Sequence, residues 1–189
     1  MAYRSPNWRP LGVSRPASMP YYLRGWIRES GSLTRRMRLV AGPHFGFRRL
    51  GEGWALPARD EALCLGLPAG RYAWMREVWL GLGQTPQIFA RTVVPPALVG
   101  GPLAGLKRLG DRPLGELIFG RRKLRRGALG VARLRPQDWL HKRAQARTGM
   151  PATQALWARR SVFRLDDRGL LVTEVFLRPW RLGEGEASQ

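Results

Sequence analysis

The sequence predicts a single α+β domain, an antiparallel β-sheet with helices gathered in its connections. Three observations lead there. Apolar runs of strand length come in pairs around short turn segments, 71–82 with 87–94 and 157–165 with 170–177. Helical stretches collect between these pairs rather than alternating with single strands, which separates the pattern from a parallel α/β sheet. The 189 residues are 44% hydrophobic and include eight Trp, enough for one packed core.

Taken in order, residues 1–20 carry Arg4, Arg9 and Arg15 among four prolines. They read as an exposed, extended arm without the apolar segment of a signal peptide. The domain is expected over 21–182, with 183–189 a disordered tail. Ser32 is the expected N-cap of a short helix over 33–40, with Leu33, Met37 and Val40 as its apolar positions, and Gly42-Pro43 ends it. Residues 45–54 read as a strand or ragged hairpin, and 56–70 as a connecting loop. A hairpin follows over 71–94, stopped by Pro95-Pro96. Two short helical segments, 102–109 and 113–119, each open at or beside a proline. Residues 123–134 read as a strand and 136–147 as an exposed basic helix. A last hairpin turns across Asp166-Asp167-Arg168-Gly169, with the glycine supplying the turn conformation.

Composition excludes several functions. Cys64 is the single cysteine, so no internal disulfide forms, and a reducing cytoplasm is the expected setting. With His44 and His141 the only histidines, ligands for a Cys/His metal site are too few, and no metal is expected. No Gly-x-Ser-x-Gly elbow is present. No run approaches the roughly 18 apolar residues of a membrane span. The net charge of +20 suits contact with nucleic acid, anionic lipid or acidic metabolites. Its densest stretch, 121–126, lacks any accompanying nucleic-acid signature and reads as solvated surface.

Glu174 stands apart, a lone carboxylate in Leu170-Leu171-Val172-Thr173-Glu174-Val175-Phe176-Leu177. A strand apolar on both faces is normally covered on both, and a buried carboxylate needs a partner or a raised pKa. Arg76 is the matching oddity in Tyr72-Ala73-Trp74-Met75-Arg76-Glu77-Val78-Trp79-Leu80. Opposite charges directed into an apolar interior suit a small ligand with two different ends. The competing reading is a buried Arg76–Glu174 salt bridge without catalytic work.

Five stretches in order resemble the chorismate pyruvate-lyase family. They are Arg71-Tyr72-Ala73-Trp74-Met75-Arg76-Glu77, Ala90-Arg91-Thr92-Val93-Val94-Pro95, Arg112-Pro113-Leu114-Gly115-Glu116-Leu117-Ile118-Phe119, Leu156-Trp157-Ala158-Arg159-Arg160-Ser161 and Leu171-Val172-Thr173-Glu174-Val175-Phe176-Leu177. The resemblance implies a cofactor-free carbon–oxygen lyase that eliminates pyruvate from chorismate to give 4-hydroxybenzoate for ubiquinone synthesis. It also implies a ligand buried beneath helical connections. The implied contacts are the side chains of Arg76 and Glu174 and the backbone amides of Leu33 and Leu114. Arg76 with the Leu33 amide would hold the ring carboxylate. Glu174 with the Leu114 amide would address the ether oxygen, taken as the future product hydroxyl.

These positions make physical sense beside the resemblance. Arginine suits a carboxylate, and Leu33 and Leu114 fall at helix starts, where N–H groups lack intrahelical partners and favour anions. Arg91 and Arg160 are candidates for the second substrate carboxylate. The expected state is a monomer, with no specific nucleic-acid partner and at most weak contact with anionic membrane. Two rival readings stand beside this one: a non-catalytic effector-sensing domain of the kind found in bacterial transcription regulators, and a basic nucleic-acid-binding protein.

Overall fold

A computed structural model of the chain describes residues 4–12, 19–119, 124–151 and 154–178. The expected tail at 183–189 and residues 121–123 of the basic stretch at 121–126 lie outside these residues. Among those described, eight strands form one antiparallel sheet with helices on both faces, the predicted α+β class. The strands are β1 (Arg9–Pro10), β2 (Phe45–Ala55), β3 (Ala73–Leu82), β4 (Thr85–Val94), β5 (Arg125–Arg126), β6 (Gly130–Leu134), β7 (Leu156–Leu165) and β8 (Arg168–Phe176). Their order is β1-β6-β7-β8-β4-β3-β2, with β5 also pairing with β7.

Strand parity sorts the interior. On one face, α1 (Tyr21–Ile27) and α2 (Leu33–Ala41) pack Leu23, Trp26, Ile27, Leu33 and Met37 onto Leu80, Ile88, Trp157 and Phe176. Beside them, α4 (Pro96–Val99), a 3-10 turn (Ala104–Arg108) and α5 (Leu114–Phe119) cover Val94, Phe163 and Leu170. The opposite face is closed by α3 (Arg59–Leu65) and α6 (Trp139–Thr148), with Leu140 and Ala144 against Phe89, Ala158 and Val175.

Local chemistry accounts for the boundaries. The Ser32 hydroxyl accepts from the Arg35 amide at 3.2 Å and caps α2 as predicted. Gly42, at φ 52°, ends that helix. The loop expected over 56–70 instead contains α3. Glu61 accepts from the Ala58 amide at 2.9 Å, half of a capping box, and Gly66 at φ 63° stops the helix. Pro95-Pro96 ends β4 as expected and also starts α4, since proline fits a first helical turn. The strand expected over 123–134 is two strands, β5 and β6, separated by residues 127–129. α1 was not predicted at all.

Two expectations about surface and turns need correction. The helix read as exposed and basic buries Leu140, His141 and Ala144, and two of its partly exposed arginines, Arg143 and Arg147, bond the buried Glu77. In the last hairpin the left-handed residue is Asp166, at φ 54°, and the turn is only Asp166-Asp167. Gly169 lies within β8, where a Cβ would meet Val162 Cγ1 at 2.5 Å. Its missing side chain serves packing. The arm, for its part, is attached along residues 4–12. β1 pairs with β6, and Trp8 donates its indole N–H to Asp60 at 3.0 Å.

The helix-α6 face holds a buried ionic cluster centred on Glu77. Its carboxylate accepts from Arg91 at 2.6 Å, Arg143 at 2.8 and 2.9 Å, and Arg147 at 2.8 Å. Arg91 in turn donates twice to Glu61, at 2.8 and 3.0 Å. Burial pushes the Glu77 carboxyl up, but Arg143 and Arg91 outweigh it and hold the group below its ordinary 4.5. Gly51, paired with Glu77, leaves room for this cluster, because a Cβ there would lie 2.4 Å from Arg147 Nη2.

Removing one member of a buried pair leaves the other charge uncompensated, at a cost of about 3–5 kcal/mol. Glu77→Ala should therefore lower unfolding free energy by about 3 kcal/mol in urea titration. The depressed folded pKa also fixes a pH window. Stability contributed by Glu77 is fully present above its unfolded pKa and is lost as pH falls through the lower folded value. Glu77→Gln should flatten that acid limb, and an unchanged limb would show that other carboxylates set it.

Candidate active site

Between the two apolar clusters on the α1/α2 face lies a cavity roofed by the starts of α2 and α5. Its floor is Arg76, Val78 and Leu80 from β3, Ala90 and Thr92 from β4, Val172 and Glu174 from β8, and Arg159 and Phe163 from β7. Gly31 to Thr34 and Pro113 to Gly115 border it from above. Arg76, Glu174, Leu33 and Leu114 therefore share one cavity, drawn together from four separate stretches of chain. Arg91 and Arg160 do not join them.

Parity explains the exclusion. Arg91 is one residue out of phase with Ala90 and Thr92, so it reaches Glu61 and Glu77 on the opposite face. Arg160 likewise binds Asp60 at 3.1 Å and lies over the Trp8 ring. Besides Arg76, the guanidinium groups that reach the cavity are Arg126 and Arg159, which sequence reasoning missed. A signal for Arg159 was available. Any even-length turn in the last hairpin places odd-numbered β7 residues on the face of Glu174.

The cavity's two charged ends are built differently. Arg76 is 2% exposed and donates Nη1 to Glu52 at 2.5 Å. Its Nη2 donates to the carbonyls of Gly110 at 2.7 Å and Arg112 at 2.9 Å, fixing the turn that leads into α5. Nε is buried and has no partner. Burial holds this guanidinium below its ordinary pKa, with Glu52 opposing the shift. Glu52 reaches Arg76 because β2 carries an extra residue between Arg49 and Gly51. That bulge shifts the strand's phase so that Glu52 stands opposite Arg76 and Gly51 opposite Glu77.

At the other end, Arg159 donates Nε to Glu174 Oε2 at 2.5 Å, while Arg126 Nη2 lies 4.0 Å from the same oxygen. Arg159 Nη1 also donates to the carbonyls of Trp26, Ile27 and Glu29, and so clamps the end of α1. The Arg76–Glu174 salt bridge entertained from sequence does not form; each group has its own partner. The partners are Glu52 and Arg159.

The arrangement offers a cationic end with one unpartnered donor, an apolar middle, and a far end combining one carboxylate with two guanidinium groups. In the sheet, Arg76 pairs with Thr92 and Glu174 with Ala90, so their strands flank β4. Two strand spacings and two residues of rise separate their Cα atoms by about 12 Å. Each charged group bonds a partner on the strand farther from β4, Glu52 on β2 and Arg159 on β7, and Ala90 and Thr92 of β4 line the cavity between them. Among the described lining residues Glu174 is the sole carboxylate, the others with polar side chains being Ser, Thr and Arg.

Comparison with known proteins gives this cavity a context. The family model described as chorismate lyase matches residues 13–182. A probable chorismate pyruvate-lyase of Halorhodospira halophila is 44% identical over 169 residues, covering 89% of this chain and 88% of that one. One from Ralstonia nicotianae is 42% identical, covering 94% and 91%. Among solved structures, the effector domain of PhnF from Mycobacterium smegmatis aligns with TM-score 0.55 at 18% identity, covering 78% of this chain and 88% of that one. A GntR-family regulator from Bacillus cereus aligns with TM-score 0.55 at 17% identity, covering 77% and 99%. At those identities the two structures show a shared fold alone. The sequence matches go further: this chain belongs to the chorismate lyase family of enzymes.

Proposed function

We propose that this protein converts chorismate to 4-hydroxybenzoate and pyruvate, supplying the aromatic ring of ubiquinone from the cytoplasm. The observation that carries this reading is the single cavity shared by Arg76, Glu174 and the helix starts at Leu33 and Leu114. Arg76 anchors the ring carboxylate, and its unpartnered Nε–H gains an acceptor when the ligand is bound. The amides of Leu33 and Leu114 complete the polar contacts.

The bond changes require one correction to the sequence-based assignment. The ether oxygen at C3 departs with pyruvate, so it cannot become the product hydroxyl. The retained hydroxyl is the one at C4, and Glu174 and the Leu114 amide belong there. In the reaction the C3–O bond breaks, C4 loses its hydrogen, and the C4–H electron pair becomes the new ring double bond. No net oxidation occurs, so the chemistry asks for no redox cofactor.

The departing hydrogen has two destinations. Glu174 could relay it, or it passes directly from C4 to the methylene carbon of the enolpyruvyl group as C–O becomes C=O. We favour the direct transfer, because Glu174 Oε2 is already an acceptor for Arg159 and no other carboxylate lines the cavity among the described residues. The protein then contributes orientation and a fixed field.

Purified protein should release pyruvate from chorismate in the presence of EDTA; no turnover would remove the enzyme reading. Arg76→Ala should lower kcat/KM by at least about 30-fold, because the substrate carboxylate loses its cation, and should also lower the melting temperature, because Glu52 loses a buried partner. Glu174→Gln should also lose most activity. With deuterium at C4, the label should appear in the pyruvate methyl group. Incorporation of solvent hydrogen there would show instead that a protein group carries the proton.

A further inference from the structure

Among the described residues, the cavity lining carries three guanidinium groups and one carboxylate. Two guanidinium groups flank Glu174, and the nearby Glu29 carboxylate is already engaged by Arg36 at 3.2 Å and by the Gly31 amide at 2.8 Å. Arg159 spends its Nε on a direct contact with the Glu174 carboxylate, whereas Arg126 makes no hydrogen bond to any described carboxylate. Its Nε donates to the Ser161 hydroxyl at 2.8 Å, and Nη1 donates to the carbonyls of Glu29, Ser30 and Gly31 at 3.0, 3.0 and 3.2 Å. Its Nη2 reaches only Glu174, at 4.0 Å, beyond hydrogen-bonding distance. Burial lowers the pKa of this guanidinium and neighbouring Arg159 lowers it further, with Glu174 and Glu29 opposing. An additional anion would offset both effects.

The order of charges across the sheet matches the order of groups along the substrate. Arg76 stands on β3, Glu174 two strands away on β8, and Arg126 packs against Ser161 on β7. Chorismate presents its ring carboxylate, then the C4 hydroxyl with the adjacent C3 ether, then a second carboxylate on the enolpyruvyl group. We propose that Arg126, through Nη2, anchors that second carboxylate, so that pyruvate forms between Glu174 and β7. This rests on the chorismate reading above. It moves the second-carboxylate contact from Arg91 and Arg160, which face away, to a residue with a free donor in the cavity.

The assignment has a consequence for selectivity. 4-Hydroxybenzoate lacks the second carboxylate, so Arg126 distinguishes substrate from aromatic product. Because Nη1 also holds the carbonyls of residues 29–31, the same side chain joins the ligand to the turn that leads into α2.

The test separates that role from a structural one. Arg126→Met and Arg126→Lys are compared with wild type for chorismate KM, 4-hydroxybenzoate Kd, inhibition by pyruvate and thermal melting. Arg126→Met should raise KM at least about tenfold and abolish pyruvate inhibition, while 4-hydroxybenzoate Kd stays within about twofold. Arg126→Lys, which keeps the charge, should recover part of the loss. An unchanged KM, or equal losses in substrate and product affinity for both variants, would overturn the assignment. Wild-type protein that binds 4-hydroxybenzoate but turns over no chorismate would instead remove the reading on which it rests.

Discussion

Alternation along the strands is the constraint from which this interior follows. Each residue of β3, β4, β7 and β8 commits its side chain to one covered face or the other. Charges adjacent in sequence are thereby sent to opposite sides, Arg76 from Glu77 and Arg159 from Arg160. One side becomes an ionic cluster among α3, α6 and the sheet, with few donors left over. The other becomes a cavity whose charges are only partly matched. Buried ionic groups are expensive to desolvate, and full pairing is the usual remedy. The contrast between the two faces therefore separates a structural network from a site kept ready for a ligand.

Much of this was legible before the fold was known. Glu174 and Arg76 stood out because charge interrupts apolar strands, and their face could be assigned from parity. The Ser32 cap and both long hairpins follow from local chemistry. What escaped was long-range pairing. Glu52 drew no notice in the sequence, because a bulge just before it in β2 alters which residue meets Arg76. Arg126 sat in a run of basic residues where composition gives no hint that one member turns inward. The helix α3 was hidden because its anchor, Glu61, is held both by its own N-terminus and by Arg91 from a distant strand.

The shared architecture with regulator effector domains fits the same division. A sheet covered by short helical connections frames the cavity, and the fold leaves its use to the side chains that line it. Here the described lining carries three arginines and one glutamate among apolar residues.

The two-residue turn at Asp166-Asp167 extends the definition of the site. It lies at the far end of the hairpin from Glu174, yet its length sets the register in which Arg159 meets that carboxylate. Aspartate tolerates the left-handed conformation that Asp166 adopts, so several residue types would serve there. One residue more or less would not. The frame of β8 would move by a single step, Glu174 would exchange faces with its neighbours, and the described lining would lose its carboxylate without any cavity residue having been substituted. Through its length, this remote turn is a reading frame for the active site.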